Sequence, residues 1–287
     1  DGLAYQNTSE NPTEGSRAVT ITDVTDSGGK STDVAITSHV TATAVNDAPT
    51  LIVDDFTVLE GGSKTLTTAN IKANDVDHAL NTLTYTLVSA PLEGAVYIDA
   101  NGNGKQDSGE ALTTGESFSH SQLSSGKVRY QHNDGENNDS FTLSVSDPEA
   151  ASSADVTLNI TRTAVNDAPV ITGLNTDILG YPANSGAKTL EQGGDVVIND
   201  PDSANFDGGK LQVSITFNRD PAHDLLSIEN IGTGAAQIGV DGSNVSYAGT
   251  VIGAFTGGSG TNDLVVTFNA DSTQEAVAAL VEAIQFT

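Results

Sequence analysis

Asp99-Ala-Asn-Gly-Asn-Gly-Lys-Gln-Asp-Ser-Gly-Glu110 meets the pattern D-x-[DN]-x-[DN]-G-x5-E at every specified position. A hard divalent cation such as calcium takes about six to eight oxygen ligands, and one twelve-residue loop of this kind can supply them in order. Asp99, Asn101 and Asn103 offer side-chain oxygens, and Lys105 offers its carbonyl. Asp107 binds directly or through water, and Glu110 presents both carboxylate oxygens. Gly104 stands at the sixth position, where the chain must turn sharply. A polar Asn-Gly hairpin tip would carry the same residue types, so the sequence leaves both readings open.

The elements that must position this loop read as strands. Ala95-Val-Tyr-Ile98 leads into it as an extended run, which departs from the helix–loop–helix context of an EF-hand. Leu51 to Val58, Leu83 to Val88, Lys127 to Gln131, Phe141 to Val145, Val156 to Ile160 and Leu211 to Phe217 are short alternating runs separated by Gly, Asn, Asp, Ser and Pro. Short strands at this spacing predict an all-β fold of tandem antiparallel sandwiches rather than parallel βαβ units. One helix is expected, Ser272 to Ile284, opened by a Ser272-x-x-Glu275 capping box with Ala276, Val277, Leu280, Val281 and Ile284 on one face.

Composition removes several classes of function. The chain has 287 residues with 38 Asp+Glu against 11 Lys+Arg, a formal charge of −27. Such a balance opposes nucleic-acid binding and docking on anionic lipid. Cysteine is absent, which excludes disulfides, thiol nucleophiles and thiolate metal sites. No apolar run approaches the ~20 residues of a membrane helix, so no membrane insertion is expected. No signal peptide is visible, and a chain starting at Asp1 without any Met reads as an excised piece. No nucleophile elbow or phosphate-binding loop occurs, tryptophan is absent, and no enzyme is expected. His39, His78, His120, His132 and His223 lack zinc spacing and read as loop or strand positions. The remaining acids are either solvated surface, as in a salt-adapted protein, or cation ligands; Glu10, Glu14 and Glu282 read as solvated charge.

Internal repetition separates the two kinds. Val40-Thr-Ala-Thr-Ala-Val-Asn-Asp-Ala-Pro49 recurs as Ile160-Thr-Arg-Thr-Ala-Val-Asn-Asp-Ala-Pro169, with a period of 120 residues from Asn46 to Asn166. Ala18-Val-Thr-Ile-Thr-Asp-Val-Thr-Asp26 parallels Asp139-Ser-Phe-Thr-Leu-Ser-Val-Ser-Asp147. Each boundary motif is followed by an acidic pair, Asn74-Asp75-Val76-Asp77 and Asn199-Asp200-Pro201-Asp202. Together with Val128 to Asp147, these motifs resemble bacterial cadherin-like and chondroitin-sulfate-proteoglycan-type repeats of large secreted, RTX-type adhesins. The resemblance is closest over residues 46–165.

That resemblance implies three pieces: residues 1–45 as the last strands of one module, 46–165 as a complete module, and 166–287 as the first part of another. It also implies calcium at the junctions. The first would use Asn46, Asp47, Asp75, Asp77 and Asp147, and the second Asn166, Asp167, Asp200 and Asp202, with Glu60 from the preceding module. The implied function is that of non-catalytic, calcium-stiffened extender repeats of a bacterial surface adhesin. They would lie outside the cell, contact adjacent repeats and serve cell adhesion or biofilm formation. An alternative is an accessory or glycan-binding module of a secreted polysaccharide-acting enzyme. A further expectation is head-to-tail self-association, with residues 1–45 of one molecule completing residues 166–287 of another.

Overall fold

In the computed structural model of the chain, residues 3–174, 177–182 and 185–287 are described. Residues 1–2 of the first expected piece and 175–176 and 183–184 of the third lie outside them. The chain divides into two compact units, Asp1–Val165 and Asn166–Thr287. The structure is all-β apart from short helices, as the alternating runs require.

The first unit opens with a long antiparallel hairpin of β1 (Gly15–Thr25) and β2 (Ser31–Ala42). A sandwich follows. Its strands are β3 (Thr50–Val53), β4 (Phe56–Leu59), β5 (Ser63–Thr65), β6 (Ile71–Asn74), β7 (Thr84–Ser89), β8 (Gly94–Ile98), β9 (Ser117–Ser119), β10 (Val128–His132), β11 (Asp139–Ser146) and β12 (Val156–Thr163). One sheet runs β4-β12-β11-β7-β9, the other β5-β10-β8, and β3 pairs with β6. Alternation does the packing: Phe141, Leu143 and Val145 of β11 face inward onto Tyr85, Leu87, Leu158 and Tyr130, with polar residues between them facing out. Each such side chain contributes about 1.5–3 kcal/mol by leaving water.

Two expectations needed adjustment here. The run Leu51 to Val58 is broken into β3 and β4 at Asp54 and Asp55, because β3 pairs with β6 whereas β4 pairs in parallel with β12. A short helix α1 (His120–Ser124) was not expected; Ser119 caps it, with Gln122 completing a capping box.

The second unit has β13 (Val170–Thr172), β14 (Lys188–Thr189), β15 (Val197–Asn199), β16 (Lys210–Val213), β17 (Leu226–Ile228), β18 (Ile238–Asp241), β19 (Asn244–Tyr247), β20 (Thr250–Thr256), β21 (Leu264–Phe268), α2 (Gln274–Glu282) and β22 (Ile284–Phe286). Its sheets run β16-β21-β20-β19-β18 and β14-β22-β17, with β13 paired to β15. Helix α2 closes the core with Ala276, Val277, Leu280 and Val281. Its cap is Thr273, not Ser272: the Thr273 hydroxyl accepts from Ala276 N–H, while buried Ser272 donates to the Asn269 carbonyl. The strand expected from Leu211 to Phe217 ends at Val213.

Candidate metal centres

The twelve-residue loop leaves β8 and returns to it. Ile98 N–H donates to the Glu110 carbonyl, and Tyr97 bridges to Ala111, so the loop is closed at its base by strand pairing. Inside the loop the carboxylates collect backbone amides. Buried Asp99 accepts from Gly102 and Gly104 at 2.7 and 2.9 Å, one on each oxygen. Glu110 accepts from Ala100 and Asp107 at 2.9 and 3.0 Å. The Asn101 and Asn103 amides both donate to Asp107 Oδ2 at 2.7 Å, and Asn103 Oδ1 accepts from Lys105 N–H. Gly104 has φ +77°, a left-handed conformation that disfavours a side chain. The residues chosen by pattern are therefore tied together within the loop, with Asn101 and Asn103 meeting at Asp107 and backbone amides held by Asp99 and Glu110. Asn101, Asn103 and Asp107 are nevertheless exposed, and Asp99, Asp107 and Glu110 do not bring ligand atoms within 4.8 Å of one another. Tyr97 donates its hydroxyl to the Gly104 carbonyl at 3.2 Å, a contact that the pattern did not reveal.

A second group lies in the first unit where the boundary motif meets the loop after β6. Asp47 N–H donates to Asp77 Oδ2 at 2.8 Å, and the N–H groups of Asp77 and His78 both donate to Asp75 Oδ1. Asn46 Nδ2 donates to Asp147 Oδ2 at 2.7 Å, and Ala151 N–H to Asp147 Oδ1. All five expected residues of this junction are thus brought together. Burial alone would raise the Asp147 pKa, but Asn46, Ala151 and the nearby His78 together hold it below the ordinary carboxylate value.

Asp75 and Asp77 also hold the mark of a missing partner. Asp75 Oδ2 and Asp77 Oδ1 are buried, yet neither has a hydrogen-bond partner among the described residues. A buried carboxylate oxygen left so is costly unless a cation meets it. Ligand atoms of Asp75, His78 and Asp147 lie within 4.8 Å of one another, a spacing that one ion can bridge. The donor set is mostly hard oxygen, which suits calcium.

Three residues of this region escaped the sequence reading. His78, expected to be a plain loop histidine, packs against Asp75 and pairs with Glu149. Glu14, read as solvated charge, lines the same depression of about 270 Å³ with Asn46, Asp77, His78 and Glu149. Glu14 Oε1 also accepts from Ala44 N–H at 3.4 Å, so it is held to the boundary motif across the base of the hairpin. A signal for Glu14 was present, because it precedes a strand that itself leads to a boundary motif, as Glu136 does in the next repeat.

The second unit repeats the local pattern. Asp167 N–H donates to Asp202 Oδ2 at 3.1 Å, as Asp47 does to Asp77. Ser203 N–H donates to Asp200 Oδ1, as His78 does to Asp75. Asn166 turns its amide to the Asp167 carbonyl, and Asp200 is buried. The Asp167 N–H, ahead of the link to Asp200, draws the Asp202 pKa below its ordinary value. In the first unit, Glu60 is buried against Arg162 and accepts from Val165 N–H at 3.0 Å. Those partners draw its pKa down, Val165 most, against the opposing effect of burial. Its other oxygen, Oε1, has no hydrogen-bond partner among the described residues.

Comparison with known proteins places this geometry. Residues 49–162, which span the sandwich of the first unit, match the family model described as Cadherin-like. The first unit carries a cadherin-like domain. The chain is 28% identical over 184 residues to the human FRAS1-related extracellular matrix protein 1, an alignment covering 63% of this chain and 8% of that protein. It is 30% identical over 155 residues to the human FRAS1-related extracellular matrix protein 2, covering 54% and 4%. Against the mouse extracellular matrix organizing protein FRAS1 it is 33% identical over 118 residues, covering 40% and 3%. The chain thus spans less than a tenth of each of these relatives. No helix among the described residues is long and apolar enough to cross a membrane.

Proposed function

We propose that the chain supplies non-catalytic spacer modules that calcium stiffens, set outside the cell in a long repeat protein. The observation that carries this reading is the pair of buried oxygens, Asp75 Oδ2 and Asp77 Oδ1, which have no hydrogen-bond partner among the described residues, with ligand atoms of Asp75 close to those of Asp147 and His78. Calcium would be held there by Asn46, Asp47, Asp75, Asp77 and Asp147, and again by Asp99, Asn101, Asn103, Lys105, Asp107 and Glu110 in the loop. A further ion would use Asn166, Asp167, Asp200 and Asp202. The matching hydrogen bonds of Asp47 and Asp167 support one design used twice.

What calcium supplies is charge. Bringing carboxylates within a few ångströms is unfavourable on its own, and a divalent ion reverses the sign of that interaction. The protein's part is to preorganise the acids: Asp75 and Asp99 are fixed by backbone amides before any ion arrives. Once bridged, the segment joining boundary motif to sandwich loses hinge freedom, so a string of modules extends. The relatives named as extracellular matrix proteins support a place outside the cell. The finer assignment to a bacterial surface adhesin, acting in adhesion or biofilm formation, rests on the resemblance of the boundary motifs.

Thermal unfolding in calcium and in chelator tests the reading. Extracellular-module sites bind at roughly 10⁻⁴–10⁻³ M. Calcium at about 10 to 100 times the dissociation constant adds about 1.4–2.7 kcal/mol per site. The midpoint should rise by several degrees, and an unchanged midpoint overturns the proposal.

A further inference from the structure

The β1–β2 hairpin is built as the partner of a sheet. Its register matches that of β11–β12 residue for residue: Arg17, Val19 and Ile21 stand opposite Val40, Ser38 and Ile36, as Asp139, Phe141 and Leu143 stand opposite Ile160, Leu158 and Val156. The outward faces match too. Thr20 and Thr37 hydroxyls are 2.8 Å apart, and those of Thr142 and Thr157 are 2.9 Å apart. After Ile21 the register shifts, with Val34 and Ala35 of β2 facing the single residue Thr22 of β1, so the matching apolar face is that of Val19 and Ile21. Even the turn agrees: Asp26 N–H donates to the Lys30 carbonyl as Asp147 N–H does to that of Ala151.

Yet the equivalent faces have opposite surroundings. Phe141, Leu143 and Val145 are buried in the sandwich core, whereas Val19, Ile21 and Ile36 are exposed, Ile36 at 63%. Leu3, Ala4 and Tyr5 lie alongside, bounding an open groove of about 210 Å³ with this face.

Among the described residues, no hairpin of this kind packs on the second unit. In the first unit, the strand before α1 is β9, and β9 pairs with β7, whose other edge carries β11. In the second unit, the strand before α2 is β21, and β21 pairs with β16. Strand β16 therefore stands where β7 stands, but it ends its sheet, with no strand on its outer edge among the described residues. Beside it lies an apolar groove of about 290 Å³, lined by Ile171, Leu174, Leu190, Leu211, Val213 and Ile284. An open edge next to an open core is an unstable arrangement, and strand addition relieves both faults at once.

We propose that the β1–β2 hairpin of one molecule docks on the β16 edge of a second copy, completing the second copy's sandwich with Val19, Ile21, Ile36 and Val40 facing its groove. The contact is heterologous, using different surfaces on the two copies, so chains add head to tail. The inference does not depend on the cation proposal, and its test is run in calcium so that cation binding is not limiting.

Sedimentation velocity over a concentration series reads the association. The unaltered chain should form dimers and larger species as concentration rises. A chain with Val19→Asp and Ile21→Asp loses the donor face and stays monomeric, with at least ~100-fold weaker association, because two charges would enter an apolar groove. A chain with Leu211→Asp and Val213→Asp loses the acceptor groove and also stays monomeric. Mixing the two variants restores one intact interface and yields a one-to-one dimer that grows no further. Should the acceptor variant fail to fold, a synthetic Gly15–Ala42 peptide replaces it as donor. That peptide should bind the Val19→Asp/Ile21→Asp chain one to one and slow amide exchange in Lys210–Val213. A monomer up to about 100 µM, where interfaces of standard size are populated, overturns the proposal, as does association that survives the donor substitutions or a peptide that does not bind.

Discussion

Replacing Asp75 by Asn should change stability in opposite directions with and without calcium. Asp75 Oδ1 accepts two backbone amides, and Asn keeps that oxygen in the same shape. The other oxygen has no hydrogen-bond partner among the described residues. Ligand atoms of Asp75 and Asp147 approach within 4.8 Å. Two unit charges at that separation repel by about 1 kcal/mol in water and about 3.5 kcal/mol at an effective dielectric of 20. His78 Nδ1 lies 3.3 Å from Asp75 Oδ1 and offsets part of this wherever the imidazole is protonated. In chelator, Asp75→Asn therefore stabilises the fold by about 1 kcal/mol or more. In calcium the same change removes a ligand and forfeits about 1.4–2.7 kcal/mol that a filled site adds. For a domain of this size, 1 kcal/mol moves the midpoint by a few degrees. The two curves of variant and parent should cross between conditions in paired calorimetric scans. Equal destabilisation in both buffers would refute the reasoning, since it would make Asp75 a turn-former and nothing more.

Other outcomes follow from the same geometry. Terbium, a calcium mimic, should bind the loop and luminesce on tyrosine excitation through Tyr97, which touches the Gly104 carbonyl; Glu110→Gln should weaken that signal about tenfold or more in affinity, and Tyr97→Phe should dim it without loss of binding. For pH, Asp147 and Asp202 have folded-state pKa values below their ordinary 3.8, and Glu60 below 4.5. Their contribution is thus present above the unfolded values and is lost as pH falls through them, so midpoints in chelator should be flat near neutrality and drop below about pH 5. Tyr130→Phe removes a buried hydroxyl that donates to Asp139 Oδ2 at 2.7 Å and should cost about 1–3 kcal/mol, measured by urea unfolding of the first unit's transition.

Much of this protein was legible before any fold was known, and for physical reasons. A period of two along Phe141 to Val145 predicts a strand with one apolar face, and that strand forms. The closed loop from Asp99 to Glu110 was legible because its hydrogen bonds run within one continuous stretch, so spacing along the chain sets which groups meet. The boundary motifs were legible because they recur. What sequence could not supply was any contact set by residues far apart. His78 reads as a loop histidine until β3 and β6 pair and the turn after β11 sets Glu149 beside it. Glu14 reads as solvated until the hairpin base seats it near Asn46. The break at Asp54 follows from which partner each half of the run finds, not from its own residues.

Composition, period and motif determined that this chain makes sandwiches and gathers acids at two kinds of place, because those properties are local and every copy of the pattern carries them. Tertiary structure alone decided which acids are buried without a partner and which sheet edge is left open. Both depend on what packs against a residue from elsewhere in the chain: the same alternating hairpin is core in β11–β12 and exposed surface in β1–β2.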